Sequence, residues 1–275
     1  MDETKIVVDS CVDFNEETKE FARVPFRILI DEEEIVDYDL DGAELRSKMK
    51  KTKNQIKTAC PPPEDFINKF NEYKNIFAVV ISDQLSGSYN SAVLALNLLK
   101  EKFPDKFVHI FDSKTAATGE TMIALKVKQL MEQNLSQQEI IELTNKYISK
   151  LRTFFILESL DNLAKNGRIT NFKAMIGSML QIVPIMGENG EGKIVLKEQV
   201  RGRKKAFDRL VDIIGEHNVD FENTILGITH VNCREKAEKL MEQIKLKYNF
   251  KEIKIFEASG LSTVYADDGG IVIAF

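Results

Sequence analysis

The sequence is poor in the features that mark several classes of protein. Its three cysteines, Cys11, Cys60 and Cys233, lie far apart and form no CxxC pair, so we predict neither a disulfide framework nor a zinc site. Every apolar stretch is shorter than the ~20 residues of a membrane-spanning helix. The first ten residues carry charges where a signal peptide has its apolar centre. We therefore expect a soluble, cytoplasmic protein.

The chain also lacks a strong excess of charge of either sign. Its 38 basic and 43 acidic residues give a net charge of -5 and are interspersed along the sequence. Because no basic face is indicated, we expect no binding to nucleic acid and no association with a membrane. With 275 residues, of which 43% are hydrophobic, the chain can bury a sizeable core and form two modest domains.

The first half alternates short apolar runs with longer amphipathic ones, which is typical of strands and crossover helices in a parallel sheet. A capping box at Ser136 and Glu139 marks the start of one further helix. We predict an α/β domain with a Rossmann-like parallel sheet over residues 1–152. The predicted elements are strands at Lys5–Asp9, Asn75–Ser82 and Phe107–Asp112, a hairpin at Phe26–Tyr38, and helices at Tyr89–Phe103 and Glu120–Gln133.

The second half has a different pattern of apolar and polar residues, which predicts an α+β domain with a largely antiparallel sheet over residues 153–275. Two strand-like runs joined by a Gly/Asn-rich turn at Gln181–Val200 indicate an antiparallel hairpin. A basic helix from Arg203, a strand, a helix at Arg234–Lys247 and two closing strands follow. A cleft between the two domains is a natural ligand site.

Small polar residues follow three of the predicted strands, at Asp9–Ser10, Ser82–Ser88 and Asp112–Ser113. The carboxyl ends of parallel strands share one edge of a sheet, so these residues are expected to converge there. Taken singly, each is typical of an ordinary helix cap or turn.

The segment Ser86–Ser88, which we call the elbow, offers two hydroxyls, a glycine and the free N–H groups of a following helix. Such a helix N-terminus suits a small anion. No Walker A loop, GxGxxG or GxSxG pattern occurs in the chain, so a nucleotide cofactor or a hydrolase elbow is not indicated.

A serine-dependent esterase or acyltransferase is an alternative function for the elbow. It requires a general base beside Ser86 or Ser88, and the chain has three histidines, at 109, 217 and 230. Each of them is more typical of a structural or surface role. Outside the elbow, Thr58 precedes a proline run, and Arg168, Arg201 and Arg203 are cations close to predicted loops.

A set of motifs occurs in a fixed order along the chain: VVDSCVDF, the loop around Thr58, LSGSYNSA, HIFDSKTAATG, LAKNGRI, VPIMGENGEGKI with VRGRKKA, and ADDGGIVIAF. This ordered set resembles the DegV family of bacterial fatty-acid-binding proteins. The resemblance implies a two-domain lipid-binding protein that holds one long-chain fatty acid, with the tail in an apolar tunnel and the carboxylate at the interdomain rim. It further implies no catalysis and no cofactor, since FakB-type carriers present the acid to a separate ATP-dependent fatty acid kinase. A lipid-sensing module without a kinase partner is a further alternative.

The resemblance also implies roles for particular residues. Two departures from the family pattern affect them: Thr58 is not followed by the usual serines, and Tyr265 stands near the usual histidine, where a phenol donates a hydrogen bond without charge. Expected tunnel walls are Phe172–Met186 and Thr153–Leu160, in which methionines suit a variable ligand. The residues expected to bind the carboxylate are Thr58, Ser86, Gly87, Ser88, Arg168 and Tyr265, and those expected at the head group or the partner-docking face are Arg201 and Arg203.

Overall fold

The computed structural model describes residues 4–14, 20–170 and 181–275. In chain order the strands are β1 (Thr4–Asp9), β2 (Phe21–Val24), β3 (Arg27–Ile30), β4 (Glu33–Val36), β5 (Lys57–Ala59), β6 (Asn75–Val80), β7 (Phe107–Asp112), β8 (Thr153–Ile156), β9 (Ile182–Glu188), β10 (Ile194–Arg201), β11 (Ile225–His230), β12 (Glu252–Glu257) and β13 (Ile271–Ala274). The helices are α1 (Gly42–Lys51), α2 (Pro63–Asn71), α3 (Ser88–Lys102), α4 (Thr118–Met131), α5 (Gln137–Lys150), α6 (Asp161–Lys165), α7 (Arg203–Ile214), α8 (Arg234–Lys247) and α9 (Gly260–Ala266), with a 3-10 turn at Phe221–Asn223. None of the helices in these ranges has both the length and the apolar character needed to cross a membrane.

The first sheet is parallel throughout, in the order β2-β1-β6-β7. Its central strands are buried on both faces, which explains their continuous apolar sequence. Phe66 and Phe70 of α2 pack with one face of β6, and Ile123 and Val127 of α4 pack with the other. The Rossmann-like sheet predicted for the first half is confirmed, as is the capping box that starts α5 at Ser136.

The second sheet has six strands in the order β10-β9-β8-β13-β11-β12. Every neighbouring pair is antiparallel except β11 with β12. Leu210 of α7 and Leu240 of α8 pack on one face of this sheet. The predicted hairpin of β9 and β10 and the predicted antiparallel character of this half are confirmed, whereas the division at residue 152 stays a prediction.

Helix α4 joins the two sheets because it packs against both of them. A side chain at Gly227 of β11 would lie 2.5 Å from Thr118 and 2.9 Å from Met122, so the backbone of β11 approaches α4 closely. The Thr118 hydroxyl also donates to the carbonyl of Val272 in β13. The carboxyl edge of the parallel sheet, where α4 begins, is therefore held against the six-stranded sheet.

A small antiparallel sheet, in the order β4-β3-β5, completes the fold. Its β3–β4 hairpin lies within the predicted Phe26–Tyr38 hairpin. Strand β5, with three residues, and helix α9, with seven, are not predicted from the sequence, because each is too short to show a periodic pattern. These two short elements carry Thr58 and Tyr265.

Candidate functional site

A largely apolar cavity lies where the carboxyl edge of the parallel sheet faces the six-stranded sheet. Ile81 lies just after β6, whereas Phe155 and Val272 belong to β8 and β13, so both halves of the chain form the walls. The empty space, counted together with its opening to solvent, is about 860 Å³. Other apolar lining residues are Phe26, Leu85, Leu157, Leu163, Ile194 and Leu261.

Four polar residues named from the sequence line this cavity together: Thr58, Ser86, Arg168 and Tyr265. The Oγ1 atom of Thr58 lies 2.7 Å from the phenol oxygen of Tyr265. The guanidinium carbon of Arg168 lies 5.9 Å from the centre of the Tyr265 ring. Residues from β5, α9, the elbow and the turn after α6 thus form one polar group in a mainly apolar wall.

The Thr58–Tyr265 pair offers a hydrogen-bond donor to the cavity. Either hydroxyl can donate to the other across the 2.7 Å contact, and the one that accepts keeps its own proton for a further acceptor. Both side chains are half-buried. A carboxylate that enters the cavity beside this pair can therefore accept a hydrogen bond from it.

Ser86 is the elbow residue whose side chain reaches the cavity. Its Oγ accepts a hydrogen bond from the backbone N–H of Ser88 at 3.3 Å, so its proton remains free to donate. Gly87 lies outside the cavity lining. A side chain at Gly87 would lie 3.1 Å from Sγ of Cys60, so glycine lets β5, which ends just before Cys60, approach α3.

Ser88, the other serine of the elbow, lies away from the cavity, so the geometry does not support its predicted role in binding the carboxylate. Ser88 is fully buried and is not among the residues that line the cavity. Its hydroxyl donates instead to Oδ2 of Asp9 at 2.6 Å. Ser88 is the first residue of α3, and its side chain points back towards the end of β1, so its role lies in holding the elbow in place.

Arg168 brings a positive charge to the cavity. The turn after α6 passes through Gly167, whose φ of 74° favours glycine. The Nε atom of Arg168 donates to the carbonyl of Leu85 at 3.0 Å, and Nη1 donates to the carbonyl of Asn166. These two bonds hold the guanidinium next to the elbow, where a charge-assisted hydrogen bond to a carboxylate is available.

The structure does not bring Arg201 and Arg203 to the cavity, so the geometry does not support their predicted head-group role. Arg201 ends β10 and is exposed. Arg203 begins α7 and forms an ion pair with Glu158. Neither lines the cavity, so only the alternative role at a partner-docking face stays a prediction.

Two buried aspartates that the sequence analysis missed hold the start of α9. Asp37 accepts hydrogen bonds from the backbone N–H groups of Gly260 and Leu261, at 3.0 and 2.9 Å. Asp13 accepts one from Ser259 at 3.1 Å. Burial raises the pKa of Asp13 and of Asp37 to about 6. These bonds fix the helix that carries Tyr265. Asp13 lies within the VVDSCVDF motif, whereas no motif marks Asp37.

The structure gives no support to a serine nucleophile. In the described ranges no histidine lines the cavity. His217 packs against the rings of Phe154 and Phe275, and His230 pairs with Glu257. Burial lowers the pKa of His109, His217 and His230. A base for Ser86 is therefore not found among these residues.

The predicted tunnel walls have different outcomes. From Thr153–Leu160, the residues Thr153, Phe155 and Leu157 line the cavity, and the role of this segment as a tunnel wall stays a prediction. Residues 172–180 of the other predicted wall lie outside the described residues, and Met186 at its end packs with Phe155. Thr115 was missed; its hydroxyl pairs with that of Thr153 at 2.8 Å.

Comparisons with known proteins agree over nearly the whole chain. The sequence profile of a family described as an uncharacterised protein, DegV family, matches residues 3–275. A DegV domain-containing protein of Streptococcus pneumoniae is 32% identical over 281 residues, which cover 98% of each chain.

Solved structures give the same result. A DegV family protein from Ruminococcus gnavus, refined with vaccenic acid, is 40% identical and superimposes with a TM-score of 0.95 over 99% of both chains. The fatty acid kinase (Fak) B3 protein of S. pneumoniae, loaded with linoleic acid, is 31% identical, with a TM-score of 0.92 over 100% of this chain and 99% of that one. The matching profile, the sequence identities and the shared fold show that this chain belongs to the DegV family.

Proposed function

We propose that this protein binds one long-chain fatty acid, with its tail in the apolar cavity and its carboxylate at the polar group of Thr58, Ser86, Arg168 and Tyr265. The observation that carries the proposal is the placement of these four residues in a cavity whose other walls are mainly apolar. The relatives refined with vaccenic acid and loaded with linoleic acid support the same ligand class.

The energetics of such a site favour a long chain. Burial of ~10 methylenes contributes ~8 kcal/mol before the costs of association are subtracted. Each hydrogen bond to the charged head group adds about 1.5–3 kcal/mol. The tail thus supplies most of the affinity, and the polar group fixes which end of the ligand reaches the rim.

The charge of Arg168 complements the single negative charge of the ligand. Its guanidinium is held by two carbonyls, so little side-chain entropy is lost when a carboxylate binds. Ser86 and the Thr58–Tyr265 pair supply neutral donors from two other directions. This arrangement distinguishes a free acid from an ester or alcohol of the same length, because only the acid is charged.

We infer that the chain performs no chemistry on the ligand and presents the carboxylate to an ATP-dependent fatty acid kinase. Ser86 has no histidine beside it among the lining residues described above. The pneumococcal relative, described as a fatty acid kinase B protein, supports a kinase partner. The exposed Arg201 at the end of β10 is our candidate for the docking face.

Native mass spectrometry of freshly purified protein tests the ligand. We expect one bound mass that organic extraction identifies as a long-chain fatty acid. Protein that is free of ligand, and that takes up no vaccenic acid when it is added, would show that the cavity has another use.

A second experiment tests the partner. Incubation with ATP and the fatty acid kinase of the source organism should yield an acyl phosphate, and Arg201→Ala should slow this reaction without loss of bound lipid. Lipid-loaded protein that no kinase phosphorylates or retains in a pull-down would favour a lipid-sensing module instead.

A further inference from the structure

Asp9 connects the elbow to the parallel sheet. This residue ends β1, and its side chain is fully buried. Oδ1 accepts from the N–H of Cys11 at 3.0 Å, and Oδ2 accepts from the N–H of Ile81 at 3.1 Å and from the hydroxyl of Ser88 at 2.6 Å. The three donors come from the loop after β1, the end of β6 and the start of α3. Asp9 thereby fixes the residue whose N–H donates to Ser86.

A second buried carboxyl group faces Asp9 from α4. One carboxylate oxygen of Asp9, one of Glu120 and the sulfur of Cys11 lie within 4.8 Å of one another. Glu120 is fully buried, and neither of its oxygens has a hydrogen-bond donor. The ionisable groups that act on it are Asp9, Cys11 and, at longer range, Asp13. Asp9 and Asp13 raise the pKa of Glu120, and the Cys11 thiol, which favours the ionised form, contributes less than burial and Asp9 do.

The two carboxyl groups therefore have different environments. Burial raises the pKa of Asp9, and its three hydrogen-bond donors oppose this effect by favouring the ionised form. Glu120 has the same burial without a donor, and burial together with the negative charge of Asp9 raises its pKa well above the usual value. Two carboxylates in one dry site cannot both ionise without a large cost. A proton on Glu120 removes that cost, and it also supplies the missing hydrogen bond.

We propose that Asp9 is a positioning residue for the head-group elbow, and that Glu120 is held protonated beside it as a donor to its carboxylate. The pair then carries one negative charge below the elbow. The part that concerns the elbow rests on the proposed function, whereas the protonation of Glu120 is independent of any ligand. Cys11, which lines the cavity, lies between the Asp9–Glu120 pair and the acyl tail of the bound fatty acid.

Infrared spectroscopy of the delipidated full-length protein tests the protonation. The measurement is made at about pH 8, well above the pKa of about 6 of Asp13 and Asp37. We expect the carbonyl band of a buried carboxylic acid in the wild type and its loss in Glu120→Gln. The absence of such a band from the wild type, or its persistence in the variant, would overturn the assignment. A stoichiometric divalent cation found by elemental analysis would also overturn it.

The dependence of the unfolding equilibrium on pH is an independent measure of the proton on Glu120. An unfolded glutamate is ionised above about pH 5.5, while the folded Glu120 keeps its proton. Up to neutral pH, the unfolding equilibrium constant of the wild type should therefore rise about tenfold per pH unit relative to that of Glu120→Gln. Parallel pH profiles of the two proteins would show that Glu120 is ionised in the fold.

The positioning role of Asp9 is tested with Asp9→Asn and two ligands, vaccenic acid and the alcohol of the same chain. We expect the dissociation constant of the acid to rise about tenfold or more, because a misplaced elbow loses a charge-assisted hydrogen bond. The alcohol should be retained. Equal losses for both ligands, or none, would contradict the role. If Asp9→Asn fails to fold, Ser88→Ala is compared in the same way. Failure of the wild type to bind the acid refutes the proposed function and leaves the infrared test intact.

Discussion

Replacement of Tyr265 by phenylalanine tests the proposed head-group site directly. The change removes one hydroxyl, which lies 2.7 Å from Oγ1 of Thr58, and leaves the ring against Arg168. The cavity then loses the phenol donor, and the Thr58 hydroxyl loses the partner that orients it. A hydrogen bond to a charged group contributes about 1.5–3 kcal/mol, so the dissociation constant of a fatty acid should rise about 10- to 100-fold.

The assay is competitive displacement of a fluorescent fatty acid by vaccenic acid, with the corresponding alcohol as second ligand. The alcohol makes neutral hydrogen bonds, and its affinity should fall by only about 0.5–1.5 kcal/mol. Tyr248→Phe is a matched control, since Tyr248 stacks on Phe221 away from the cavity. It removes the same atom and should leave both affinities unchanged.

The hydroxyl pair also predicts a coupling that a simple loss of packing would not produce. Thr58→Val should weaken binding to a similar degree, and the double variant should be little weaker than either single one, because each hydroxyl depends on the other for its orientation. A dissociation constant for Tyr265→Phe within about twofold of the wild type would refute the head-group assignment. Fully additive losses would refute the pair as the unit of recognition.

Three further results are expected. Ser86→Ala should weaken retention of the acid about tenfold with an unchanged melting temperature. Ser88→Ala should lower the free energy of unfolding by about 1–3 kcal/mol, because a buried carboxylate loses a donor. Equal stability of the two variants would contradict the different roles of the two serines. Val272→Phe should fill the space of about three methylenes and weaken binding by about 2 kcal/mol, as native mass spectrometry of bound lipid can measure; full lipid occupancy would place the tail elsewhere. Burial raises the pKa of Asp13 and Asp37 to about 6 in the fold, so the stability that each contributes is present below about pH 4 and lost as pH rises to about 6. Denaturant unfolding of the wild type and Asp37→Asn over that range should show a difference that changes by up to about 3 kcal/mol with pH, and a constant difference would contradict the assigned pKa.

Local sequence patterns were enough to predict most of the regular elements. The strands of the parallel sheet are buried on both faces, so their apolar runs are continuous and easily recognised. Helix α5 carries its start signal in Ser136 and Glu139, and the hairpin of β9 and β10 surrounds a turn with two glycines at positive φ. These features depend on residues a few positions apart, which a sequence displays directly.

Local sequence patterns do not determine which serine of the elbow faces the cavity. Its composition indicates an anion site, and Ser86 does reach the cavity. Two serines separated by one glycine look equivalent in the sequence, yet Ser88 turns towards Asp9, 79 positions away. The direction of each hydroxyl depends on where α3 starts relative to β1, which is a property of the packed sheet.

By itself, the sequence of this DegV family protein determined the order of most strands and helices, the parallel and antiparallel halves, and an ordered set of motifs that points to a fatty acid. Only the tertiary structure brought Thr58 and Tyr265 together across 207 positions. It also placed Arg203 in an ion pair with Glu158, away from the cavity, and buried Glu120 beside Asp9. The physical reason is that periodicity and capping act within a few residues of the chain, whereas a binding site and a buried charge are set by which distant segments share the same desolvated space.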